Sequence, residues 1–215
     1  MAHVKTLVCP MPTLLGSLRY RALSLVFIVV FFLVAPAFSQ GGGSTAQADL
    51  DQLVQSAERI VRGQVISASL EPHPQFPNLP TVLVTLAVSK VLKGSAGGTL
   101  TFRQFLWDSH DASVLARYKG AGEVVFFLNP VSQYGLTSPV GLEQGRFRVV
   151  RNQKGSRYVV NGRGNLGLFD RVSQKAASRG IALSKPIRQM LAAPVGKPSL
   201  ESFEAAVQAL AAVPQ

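Results

Sequence analysis

The chain has 215 residues, 22 of them Lys or Arg against 11 Asp or Glu, a formal charge of +11. With 47% hydrophobic and only 15% charged residues, it is neither an intrinsically disordered chain nor a many-pass membrane protein, because its apolar residues concentrate in one long run. Its length allows one ordered domain, and the basic excess speaks to solubility and association rather than to fold.

Lys5, Arg19 and Arg21 precede the apolar run Ala22–Val34, and no acid occurs before Asp49. A positive stretch, an apolar stretch of this length and then the small residues Ala37 and Ser39 make the pattern of a secretory signal. The expected cut follows Ser39, and a cut after Ala37 fits the same rule. The alternative is an uncleaved anchor over residues 22–38, slightly short of the roughly 20 apolar residues a spanning helix needs. Both readings place the folded part outside the cytoplasm, periplasmic or secreted. The sole cysteine, Cys9, lies upstream of the cut, so the mature chain is expected to carry no disulfide and no disulfide-linked partner.

Residues 40–48 are Gly-rich and read as a flexible spacer. Leu50, Leu53, Val54 and Ala57 at helical spacing predict a short helix over Asp49–Glu58. Arg59–Leu70 reads as a strand whose alternation slips at Gly63, the mark of a bulge. Four prolines make Glu71–Pro80 a loop, and Thr81–Val91 is the clearest strand, with Val82, Val84, Leu86 and Val88 on one face. A third strand spans Thr99–Trp107. A helix is expected over Asp108–Tyr118, a buried strand from Glu123 to Pro130, and a hairpin pairing Arg146–Arg151 with Arg157–Asn161. Beyond Gly162 the pattern is helical or irregular until a helix closes the chain over Ser199–Ala212, after a Pro-Ser cap.

Three strands, a short helix and further strands is the order of a five-stranded OB barrel. Ala57-Glu-Arg-Ile-Val-Arg-Gly-Gln-Val-Ile66 followed by Val84-Thr-Leu-Ala-Val-Ser-Lys-Val-Leu-Lys-Gly94 resembles the opening of netrin-like and tissue-inhibitor-of-metalloproteinase-like OB domains. It also resembles exported bacterial proteins of unknown role that continue with a Gly-Glu-Val-Val-Phe-Phe-Leu-like strand. The expected fold is therefore mainly β with flanking helices: a signal or anchor over 1–39, a spacer over 40–48, an OB-like barrel over 49–162 and a helical or irregular extension over 163–215 packed on the barrel. In the animal inhibitors, the resemblance implies, an amino-terminal cysteine meets the protease zinc. No cysteine of the mature chain matches it, so the resemblance carries fold rather than that mechanism.

No constellation for catalysis stands out, and no cofactor or metal is expected. His110 in Asp108-Ser-His-Asp111 is the one cluster that could orient an imidazole or share a metal, giving a metal-dependent hydrolase as the alternative function. Helix capping explains the same residues, and a metal needs more ligands than this cluster supplies. Gly162-Arg-Gly-Asn-Leu-Gly167 matches a dinucleotide fingerprint by letters only, without its βαβ context, and reads as a loop.

Eleven cations between Arg146 and Arg188 face Asp170 alone, a local +10, while the rest of the mature chain carries −2. Arg146, Arg148, Arg151 and Arg157 are thus candidates for receiving an anionic polysaccharide or a membrane surface, with nucleic acid a weaker match. On the third strand, Thr101, Arg103, Phe105 and Trp107 share a side opposite Leu100, Phe102 and Leu106. Arg103 and Trp107 could stack against a ligand, although burial statistics favour Phe105 and Trp107 as core beneath the carboxy-terminal helix. The function expected from all this is an exported, noncatalytic binding or envelope-associated protein. Its partner would be an anionic polymer or an extracytoplasmic protein, as in an inhibitor-like, protease-interacting role.

Overall fold

A short helix leads into the sheet because its end is taken over by a strand. In the computed structural model, which describes residues 46–108, 112–193 and 196–212, helix α1 spans Leu50–Ser56. Asp49 accepts from the Gln52 amide and Gln52 answers to the Asp49 amide, a reciprocal cap that holds the first turn. At Ala57 the backbone is extended, and the Glu58 amide donates to Leu128 O in the sheet instead of to the helix. The expected helix over Asp49–Glu58 is therefore two residues shorter at its end.

Six antiparallel strands follow: β1 (Arg59–Pro72), β2 (Pro80–Lys93), β3 (Thr99–Phe105), β4 (Glu123–Leu128), β5 (Arg146–Arg151) and β6 (Arg157–Asn161). Their order in the sheet is β3-β2-β1-β4-β5-β6. Six strands replace the expected five, since both arms of the Arg146–Asn161 hairpin join the same sheet. The slip expected at Gly63 is present as a register shift between Arg62 and Gly63 against β2. A Cβ at Gly63 would lie 2.2 Å from the Ala87 carbonyl oxygen, so the close approach at this bulge requires glycine.

Helix α2 (Ala112–Lys119) lies between β3 and β4; three further helices, α3 (Val172–Ser178), α4 (Lys185–Leu191) and α5 (Leu200–Ala211), fill the carboxy-terminal part. Of the helix expected over Asp108–Tyr118, residues 109–111 lie outside the described residues, as does the whole signal or anchor over 1–39. The spacer expected over 40–48 is described only at its end, where Ala48 N donates to Gln144 Oε1 (2.8 Å) and Gln144 Nε2 donates to Ala46 O (3.0 Å).

The sheet is packed on both faces. Along β4, Val124, Phe126 and Leu128 enter one core with Phe102 of β3 and Tyr118 of α2. Val125 and Phe127 enter a second core, with Phe147 of β5, Phe203 of α5 and Leu53 of α1. Alternation in a strand delivers successive side chains to opposite faces, so a continuous apolar run such as Val124-Val-Phe-Phe-Leu128 fits a strand covered twice. Phe147 and Phe203 meet with ring centroids 4.8 Å apart, and Phe102 and Phe126 at 5.5 Å.

The carboxy-terminal helices are also tied by charge. Glu204 of α5, buried, accepts from Arg62 of β1 at 2.9 Å and Lys90 of β2 at 2.7 Å. Lys175 of α3 and Arg179, which caps its end, reach the acids at the start of α1, the capping Asp49 and Asp51 respectively, each at 2.5 Å. At the two sheet edges, the β6 amide of Val159 donates to Pro198 O, while β3 meets residues 136–137: Arg103 bridges Leu136 in parallel and its carbonyl accepts from Thr137 N at 2.9 Å.

Candidate binding surface at the open end of the sheet

The end of β1, the start of β2 and the end of β3 come together in register, with Glu71 opposite Thr81 and Thr81 opposite Phe105. Arg103 ties these three strands. Its guanidinium donates to Thr81 Oγ1 (2.8 Å), Glu71 Oε2 (3.1 Å) and Pro72 O (3.4 Å). The Ser69 hydroxyl donates to the other Glu71 oxygen at 2.8 Å. Those hydrogen bonds, Ser69 first and Arg103 second, hold the Glu71 carboxyl below the ordinary carboxylate range. Arg103 is thus fixed in place, its charge answered by Glu71.

Beside this polar clamp the surface is apolar. A groove of about 330 Å³ runs between Leu70, Pro72, Pro77, Pro80 and Leu106, with Glu71, Asn78 and Thr81 as its polar wall. Trp107, next to it in sequence, is 93% exposed, its ring edge-on to Phe105 at 5.2 Å. Phe76 and Tyr134, also exposed, meet edge-on at 5.5 Å. The expectation that Phe105 and Trp107 form core beneath the carboxy-terminal helix is overturned. That helix, α5, packs over Phe127 and Phe147 of β4 and β5, while β3 stands at the far edge of the sheet. The predicted sidedness of β3 itself holds: Leu100, Phe102 and Leu106 are buried.

A second hollow, of about 350 Å³, lies along the outer edge of β3. Thr101 and Arg103 form one wall, and Asn129, Val131, Gly135 and Thr137 the other.

The four hairpin arginines do not form one patch. Arg146 is buried; its guanidinium donates to Arg117 O (2.9 Å), meets Glu143 at 2.5 Å and lies 5.5 Å from the centroid of the Tyr118 ring. Arg148 shares that strand face and is exposed. Arg151 and Arg157, paired with each other across the hairpin, occupy the opposite face. There they approach Glu123 at 3.8 and 4.0 Å, and Arg157 also binds Glu201 at 2.9 Å. Glu201's own backbone amide first, then Arg157, keeps the Glu201 carboxyl below its ordinary value.

For the alternative hydrolase, Asp108 is exposed, while His110 and Asp111 fall outside the described residues. Among the described residues, no group of three or more His, Cys, Asp or Glu is arranged to hold a metal ion. The segment Gly162–Gly167 forms turns, with Gly164, Asn165 and Gly167 at positive φ, in keeping with a loop.

Two participants at the open end escaped sequence reasoning. His73 sits between two prolines and is buried, and the Glu71–Arg103 pair spans 32 positions. The signal available for the pair was that both residues end strands which, if neighbours of β2, finish at the same level. No family model, curated protein or solved structure matches the chain. No helix among the described residues is long and apolar enough to cross a membrane.

Proposed function

We propose that the chain is an exported, noncatalytic binding protein on an OB-like barrel, and that it meets an extracytoplasmic protein partner through the apolar end around Trp107. The single observation that carries the reading is the 93% exposure of Trp107. A large aromatic left in water beside an apolar groove is the residue type that anchors protein interfaces. Phe105, edge-on to Trp107, enlarges the patch, and Glu71 answers the charge of Arg103 beside it, which favours a protein over a polyanion at this end.

Support for the barrel comes from residues 136–139. Leu136 bridges β3 and Pro139 bridges Leu128 of β4, so that β1, β2, β3, this short segment and β4 form a circuit that returns to β1. A helix between the third and fourth strands is the position α2 occupies, as in an OB barrel. Export rests on the basic, apolar and small-residue pattern of the first 39 residues.

The test is a photo-crosslinking residue placed at position 107 of the exported protein, with one at Ile66, exposed on β1, as the control. A discrete protein adduct formed from position 107 and not from position 66, and competed away by unlabelled protein but not by Trp107→Ala, is the expected result. Equal labelling from both positions, or none from 107 in the compartment where the protein resides, overturns the reading. A turnover that depends on His110 would overturn the noncatalytic part and favour the hydrolase.

A further inference from the structure

We propose that the turns around Leu142 and Leu166 form a lipid-facing surface that rests on an anionic bilayer. This rests on the export proposed above, but not on the contact at Trp107. The non-glycine residues held at positive φ among the described residues are Leu142 (56°), Asn165 (63°) and Arg171 (56°), and all three lie in these turns or at their end. A left-handed backbone disfavours L side chains, asparagine least. Asn165 is accounted for inside the fold, since its side chain accepts from Asn161 N (2.9 Å) and donates to Val159 O (2.9 Å) and Gly196 O (3.1 Å). Leu142 and Arg171 have no such role. Leu142 is 41% exposed and belongs to neither core, and Arg171 is exposed and begins α3 without a side-chain cap. Strain held where the side chain faces solvent directs attention to a contact made outside the chain.

Hydrogen bonds make the two turns one face. Gly162 N donates to Glu143 O (3.0 Å), and Asn161 Nδ2 donates to Gln144 O (3.2 Å). The start of the described chain runs alongside: Gln144 holds Ala46 and Ala48, Gln47 Nε2 donates to Leu166 O (3.2 Å), and Leu50 N donates to Leu168 O (2.7 Å). Leu166 is 62% exposed. The exposed charges of the second turn are Arg163 and Arg171 against Asp170, while Glu143 of the first is engaged by Arg146. Two apolar side chains set among an excess of cations is the composition that settles at the interface of an anionic membrane.

A bilayer is the occupant because of where the chain comes from. Ala46 is preceded by residues 39–45, Gly- and Ser-rich, and these by the apolar run 22–38. Fully extended, residues 39–45 span at most about 25 Å. This face therefore lies one short segment away from the residues that engage the membrane during export, whether the run is later cut off or kept as an anchor. The groove beside Trp107 is placed differently: it lies at the far end of β1, 14 residues on from the end that follows α1. Contact between the Leu142–Leu166 face and lipid thus leaves Trp107 in water.

Fluorescence quenching by brominated lipid tests this, with the exported protein on vesicles of phosphatidylcholine and phosphatidylglycerol. Trp107 is the sole tryptophan, so the wild type reports on its own end, and Leu166→Trp in a Trp107→Phe background reports on the proposed face. Emission from position 166 is expected to fall by about half or more on brominated vesicles, and emission from Trp107 to stay unchanged. Adding Leu142→Gly and Arg171→Gly removes an apolar contact and a charge while supplying the residue that suits positive φ. Quenching at 166 is then expected to weaken at least about threefold, with thermal unfolding no earlier than in the parent. Quenching of Trp107, none at position 166, or quenching at 166 that the two glycines leave intact overturns the proposal. Should the tryptophan variant fail to fold, amide exchange of the wild type decides. Slower exchange with vesicles at residues 141–143 and 163–167, and not at Trp107, upholds the lipid face, and no change or the reverse rejects it. Because no partner is added, failure of the Trp107 interface would leave this result intact.

Discussion

Tyr118 shows how one buried side chain can set the response of the fold to base. Its hydroxyl donates to Gln104, its ring lies against Phe102 and Phe126, and the Arg146 guanidinium sits near its ring face. Burial, the dominant cause, raises its ionisation well above the usual tyrosine range, against the smaller opposing pull of Arg146. Below about pH 10 both folded and unfolded chains keep this proton, so the group adds no pH dependence. Above that, the unfolded chain ionises while the folded one does not, and stability falls with rising pH by up to about 1.4 kcal/mol per unit. Lys93, whose ammonium caps α1 through Val54 O, is shifted down by burial first and Arg179 second. Its unfolded form holds the proton longer, so it works in the opposite sense. The difference between wild type and Tyr118→Phe in urea denaturation from pH 9 to pH 11 isolates the tyrosine: the variant starts about 1 kcal/mol less stable through the lost hydrogen bond and shows the shallower decline. Parallel declines would show that Tyr118 is not the group that responds.

At the scale of elements, α5 is held by one carboxylate more than its sequence suggests. Glu204 lies on a helix whose apolar stripe, Leu200, Phe203, Val207 and Leu210, is buried, yet Glu204 is buried too, between Arg62 and Lys90. Replacing it with Gln leaves two cations facing a neutral amide, and we expect a loss of about 3 kcal/mol, as for a broken buried pair. Glu201→Gln, on a side chain 64% exposed, is expected to cost less than about 1 kcal/mol. Chemical denaturation of the two variants separates them, and equal losses would mean that the helix is held by its apolar stripe alone. This contrast marks what was legible in sequence. Period-two alternation located the strands, the bulge at Gly63 and the hairpin from Arg146 to Asn161, because those depend on neighbours along the chain. It identified which residues of β3 share a face, but not whether any layer covers that face, so Trp107 was expected in a core. Segment 136–139, which bridges β3 and β4, carries no alternation because its position depends on partners remote in sequence. His73 was legible only as a residue in a proline loop, since its two partners are backbone groups, which leave no mark in side-chain identity.

Across the whole molecule, the charge segregated in sequence is interleaved in space. Lys175 and Arg179 of the basic segment pair with Asp49 and Asp51 at the start of α1, Arg157 meets Glu123 and Glu201, and the buried Arg146 pairs with Glu143. Lys175, Arg179 and Arg157 thus fasten the carboxy-terminal half to the start of α1 and to β4 rather than facing solvent as part of one field. Arg148 differs, being exposed on the hairpin face opposite Arg151 and Arg157. If a polyanion binds, the two faces must contribute unequally, because only cations not already answered by carboxylates exchange counterions freely. On a heparin column, Arg148→Ala is expected to elute at lower salt than wild type. Arg157→Ala is expected to elute close to wild type while losing a fraction of a kcal/mol, about that of an exposed pair, in thermal unfolding. Equal drops in elution salt for the two would show that the carboxylates do not quench Arg157 and that the flank acts as one continuous basic surface. Unchanged elution for both would remove the hairpin from any polyanion interface and leave the apolar end around Trp107 as the surface through which the molecule makes its contacts.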